Sequence, residues 1–346
     1  MRISRNWALC LVPSILLLLL PLLTRGGGPD APTVSAISVV TTIGVGSHPA
    51  GMAVISNTNR IYSANGDGTV SVIDGEHASV TATISVASNL FGIATNASDN
   101  RVYLASKSVI SPSIYIIDGS TNTVTASVTL DFAPYGVAVD EFRNRVYVAG
   151  RDSNVVAEID GSRDAVFATV SVGGGPLGMA VNSKTSKVYV TNFYSNTLTV
   201  IDGGTRTLET VIAVGLQPWD VAVDESTNRI YVANSGSGTV SVIDGAVNAV
   251  TSTVTVGLGP QGVAVKSSTN LIYVANWFSN TVSVIDGRTN AVVATQSVGT
   301  NPRGVVANES TNLIYVSNRG SDTVSVIDGN PLTPRLYLPL IFRSSN

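Results

Sequence analysis

Cysteine is almost missing from this chain. The one cysteine among 346 residues, Cys10, lies inside an apolar N-terminal run. Beyond that run there is no thiol, which excludes a disulfide, a thiolate metal site and a haem-attachment motif. Histidine occurs twice, as His48 and His77, in two different turn contexts. A catalytic zinc site usually needs three protein ligands, most often His, so no metal is expected. Charged residues are only 12 % and the net charge is −3. That balance argues against a broad electrostatic footprint for double-stranded DNA or anionic lipid. Ala, Leu, Glu and Lys do not recur at helical spacing, so almost no helix is expected. No G-x-S-x-G elbow, Rossmann or P-loop motif or D-x-D-x-D-G calcium loop occurs, which leaves no sign of a cofactor or a catalytic group.

What is present starts with a leader. Arg2 and Arg5 precede an uncharged, Leu-rich run from Trp7 to Leu23. A basic stretch followed by an apolar one is the order of a secretory signal. Residues 1–28 are therefore expected to be a signal peptide, cut near Gly26–Gly28 or Ala31. An uncleaved N-terminal anchor is the alternative, at the short limit for a span and weakened by Pro13 and Pro21. Either way the protein is expected to be exported, to the periplasm, the cell surface or the medium. Residues 330–346 (NPLTPRLYLPLIFRSSN) form an apolar C-terminal tail too short to cross a membrane.

Between these ends the chain repeats. Ile-Asp-Gly recurs with its Asp at 74, 118, 160, 202, 244, 286 and 328, first 44 and then 42 residues apart. A second marker keeps the same time: Pro49, Leu90, Pro134, Pro176, Pro218, Pro260 and Pro302. Each is followed two residues later by Gly, except that Asp220 replaces it once. Within residues 260–300 four alternating or β-branched stretches are separated by turn residues: 262–265, 270–275, 281–285 and 291–298. Four strands repeated as a set are the mark of a propeller blade. The seventh unit stops after its third strand, and residues 37–46 (ISVVTTIGVG) read like a missing fourth. The expected fold is all-β. It is a seven-bladed β-propeller over residues 35–329, with four antiparallel strands per blade. The N-terminal strand completes the last blade and closes the ring.

The second strand of the fourth unit reads Tyr189-Val190-Thr191-Asn192, and later units vary it as Tyr231-Val232-Ala233-Asn234, Tyr273-Val274-Ala275-Asn276 and Tyr315-Val316-Ser317-Asn318. In these motifs the chain resembles the YVTN β-propeller repeat family across residues 35–329. The resemblance implies an exported or surface-associated propeller and names no activity.

The repeated residues read as structure. Asp-Gly after a strand is a turn signal, because Asp accepts local backbone N–H groups. The residues that break the repeat are the candidates for function. The turn before strand one and the loop between strands two and three open on one face, around the central channel. At the first position stand Ala50, Phe91, Tyr135, Leu177, Trp219, Gln261 and Arg303. At the second stand Gly66-Asp67, Lys107 to Pro112, Arg151-Asp152, Phe193-Tyr194, Ser235-Gly236, Trp277-Phe278 and Arg319-Gly320. From these, Tyr135, Arg151, Phe193, Tyr194, Trp219, Trp277, Phe278, Arg303 and Arg319 are taken as the ligand-binding candidates, with no catalytic and no metal residue. The expected partner is a protein, a glycan or an anionic polymer, bound by a soluble, monomeric, non-catalytic module. A propeller hydrolase or lyase of lactonase type is the alternative. Three or more converging ionisable groups in the channel would favour it.

Overall fold

In the computed structural model of the protein, residues 37–108 and 110–329 are described. The expectations for the leader and for the tail fall outside them. Among the described residues there is no helix, and 28 strands form seven antiparallel sheets of four. Six blades are consecutive in sequence. In the seventh, Val39–Gly44 pairs with Thr323–Asp328, so the N-terminal strand closes the ring as its sequence suggests.

The first strand of each blade lies innermost. These strands are Pro49–Ile55, Leu90–Asn96, Pro134–Asp140, Pro176–Asn182, Pro218–Asp224, Pro260–Lys266 and Pro302–Asn308. Each touches the next around the ring, including the last and the first. Glycine at the third position allows this approach. A Cβ on Gly136 would lie 1.9 Å from the Leu177 carbonyl oxygen of the following blade. Only the fifth blade departs, with Asp220 in that place.

The repeated motifs hold the blades together. The tyrosine of each second strand is buried, and the hydroxyls of Tyr62, Tyr147 and Tyr231 lie beside the Asp-Gly turn of the next blade. Tyr273 donates to the Gly329 carbonyl at 2.9 Å, and Tyr315 to Gly75 across the closure at 3.4 Å. Burial holds the Tyr147, Tyr189 and Tyr315 hydroxyls up at about 12, far from ionisation. The aspartates cap their own turns: Asp202 accepts from the Gly204 and Thr205 amides, both at 2.9 Å. Every one of these roles is structural, as the turn chemistry implies.

Candidate functional site at the channel mouth

The candidate side chains sit on two structural devices. The first is a β-bulge in each innermost strand. In the third blade Pro134 pairs with Gly150 and Val137 with Val148, so Tyr135 and Gly136 together face one partner residue. The same shift occurs at Phe91, Leu177, Trp219 and Arg303. A bulge bends the strand and re-aims its side chain. Here it turns this position toward the channel mouth.

The second device is the asparagine that ends the second strand. Asn192 donates through Nδ2 to the Thr197 and Thr199 hydroxyls, at 3.0 and 2.8 Å. Asn276 and Asn318 do the same to their own third strands. The brace fixes the loop that starts at the next residue, which is Phe193, Trp277 or Arg319. In the second and third blades Ser106 and Gly150 replace it, before Lys107 and Arg151.

From these two rings the structure builds a closed collar of cations and aromatic rings. The Arg303 guanidinium carbon lies 4.0 Å from the Phe91 centroid. Lys107 Nζ stands 5.0 Å from Phe91 and 5.5 Å from Tyr135. The Arg151 guanidinium is 5.2 Å from Tyr135, 5.7 Å from Phe193 and 5.1 Å from Tyr194. Phe193 meets Trp219 edge-on at 5.6 Å, and Trp219 lies 5.6 Å from Arg303, which completes the circuit. Arg303 in the seventh blade reaches Phe91 in the second by passing over Ala50, the smallest residue at its position. Arg319 stands beside the collar and donates through Nη1 to the His48 carbonyl at 3.1 Å. Arg151 donates through Nη2 to Tyr194 Oη at 2.7 Å.

Seven of the nine sequence candidates therefore belong to one assembly: Tyr135, Arg151, Phe193, Tyr194, Trp219, Arg303 and Arg319. Trp277 and Phe278 stand apart on the sixth blade, where the Phe278 ring rests on Gly259 and stays largely exposed. Phe91 and Lys107 were not among the candidates. Phe91 occupies the same repeat position as Tyr135, and Lys107 the same as Arg151; that equivalence was the available signal.

The collar is positive and has no carboxylate at ion-pair distance. All four cations are half-buried, and among the described residues none forms an ion pair within 4.0 Å. Burial pulls the Lys107 ammonium below its usual range, and repulsion from Arg303, Arg319 and Arg151 adds to it. Burial, helped by Arg319, lowers the Arg303 guanidinium to about 9, which leaves it charged at neutral pH. Below the collar lies a cavity of about 220 Å³, lined by Ala50, Met52, Leu177 and Met179 together with Asp220, Gln261 and Arg303. Asp220 lines this cavity and is half-buried. Burial raises its carboxyl to about 6, against the opposing pull of the Val221 and Val263 amides and of Arg303. Asp220 and Arg303 are the two ionisable groups lining the cavity. That is short of a converging catalytic set, and among the described residues no group of three His, Cys, Asp or Glu gathers for a metal.

Comparison with known proteins agrees with this architecture. Residues 216–243 match the NHL repeat, and residues 246–338 match the seven-bladed β-propeller lactonase model. The chain is a β-propeller repeat protein. Each match covers well under half of it, and no curated protein matches. Among solved structures, Kuenenia stuttgartiensis hydrazine synthase superposes with a TM-score of 0.68 at 15 % identity, over 82 % of this chain and 96 % of that one. At that identity the likeness speaks for the fold alone.

Proposed function

We propose that this chain is an exported propeller of the YVTN type that binds an anionic partner through its channel face, without catalysis. One observation carries the reading: three half-buried cations, Lys107, Arg151 and Arg303, stand over aromatic faces with Arg319 beside them, and no carboxylate is paired to any of the four. An ion taken out of water is destabilised by several kcal/mol unless something compensates it. Cation–π contacts return only about 0.5–2 kcal/mol each and leave the positive charge in place. A bound anion would neutralise it. The collar is local, set in a chain whose net charge is −3, so attraction is confined to this face.

The test is capture from the native envelope with the full chain and with Arg151→Gln/Arg303→Gln side by side. A partner held by the parent, released by salt and lost in the double variant is the expected result. Equal capture by both would remove the collar from the function.

The match to the lactonase model and the raised Asp220 carboxyl favour one second reading, a hydrolase acting at the channel mouth. Asp220 would serve there as general base. Turnover of a lactone panel by the parent, abolished in Asp220→Asn, would replace the binding reading. No turnover in the parent is expected.

A further inference from the structure

The shape of the face narrows the ligand, given the reading that this face binds an anion. Two sites adjoin. The cavity under the collar, at about 220 Å³, is smaller than the roughly 300–1,000 Å³ clefts that enclose whole small ligands. It has room for one charged head group. Beside it, between the loops of the fourth and fifth blades, a ledge is formed by Phe193, Tyr194, Asn196, Leu216, Gln217 and Gly236.

The ledge is rigid and amphipathic. Tyr194 is 59 % exposed and Leu216 56 %. The Tyr194 ring is nevertheless pinned three ways. Arg151 holds its hydroxyl, Gly175 lies against its Cδ2 edge, and Phe193 meets it at 5.4 Å and 79°. The side-chain amides of Asn196 and Gln217 flank it. A fixed aromatic face beside amides suits a sugar ring, whose C–H face stacks while its hydroxyls take polar partners. The loop backbone is already occupied. The Phe193 amide donates to Gly175, Tyr194 to Gly174, Ser235 to Gln217 and Gly236 to Leu216. A peptide recognised by strand addition would need those groups free. Single-stranded nucleic acid would want a series of stacking platforms, and this ledge offers one exposed ring. Arg151 joins the two sites, since it touches both the collar and Tyr194.

We propose that the channel face recognises an acidic glycan, with the sulfate or carboxylate of one residue in the collar and an adjoining sugar on the Tyr194 ledge. The test uses the full chain immobilised against dextran sulfate and polygalacturonate, with neutral dextran, polyglutamate and single-stranded DNA as controls. Binding of either acidic glycan supports the proposal, and the two arms distinguish a sulfate ester from a uronate. Binding should weaken as salt rises. It should fall about tenfold or more, the equivalent of about 1.4 kcal/mol, in Arg303→Gln/Arg319→Gln. Arg319→Gln alone supplies the charge test if the double variant melts early, because its guanidinium donates only to a loop carbonyl among the contacts described. Tyr194→Ala should weaken glycan binding and leave inorganic sulfate binding unchanged. Polyglutamate or DNA bound as tightly as the glycans would overturn the glycan assignment and leave an anion-binding face standing. Loss of all anionic binding, with nothing captured from the envelope, would overturn both.

Discussion

Asp220 stands where six blades carry glycine, and its carboxylate reaches toward the Val263 amide of the neighbouring blade at 3.3 Å. With its folded carboxyl near 6 and an ordinary value near 4, the native state binds the proton more tightly. Its ionisation therefore destabilises the fold above about pH 6, and the penalty disappears as pH falls toward 4. Asp220→Asn should be more stable than the parent at pH 7, by about 1–3 kcal/mol after allowing for water in the cavity. The two proteins should converge near pH 4. Paired denaturant titrations at the two pH values check this, and a constant gap would contradict it. The same residue sharpens the ligand question. Below pH 6 the cavity loses its one carboxylate, so affinity for an anion should rise in the parent and stay flat in Asp220→Asn. Arg303 opposes Asp220 across the cavity, and Gln261 adds no charge of its own.

At the scale of the element, the bulge and the asparagine brace turn a uniform blade into a platform for variable side chains. Asn276→Ala leaves the Thr281 and Ser283 hydroxyls without their donor and should cost about 1–3 kcal/mol. Gly136→Ala should cost a similar amount, because the new Cβ meets the Leu177 carbonyl. Thermal melts of both variants read these losses directly. The strands, turns and ring closure were legible in the sequence because each is a local pattern repeated with a fixed step. The two rings of variable positions were legible for the same reason. Their connection was not. Phe91 and Lys107 lie in the second blade, where Leu90 replaces the marker proline and Ser106 the bracing asparagine, so the repeat hides them. The Arg303 contact with Phe91 skips a blade and depends on the small size of Ala50. No spacing along the chain expresses that.

For the whole molecule, the closing strand decides whether the ring is complete. Without Val39–Gly44 the strand Thr323–Asp328 would present an open edge, and such edges pair with other chains. Deleting residues 37–46 should also expose the sites of Ile37 and Ile43, together worth about 3–6 kcal/mol of burial. The truncated protein should associate on size-exclusion chromatography, and a peptide of residues 37–46 should return it to a single species. The closure has a further consequence, measured in time. About 280 residues separate Gly44 from its partner Thr323. At roughly 5–20 residues per second, synthesis of that interval takes on the order of 15–60 s. During that interval six blades can form in order while their oldest neighbour stays unpaired. The first strand made is the last to find its place, and the finished ring records that the strand Thr323–Asp328 has arrived.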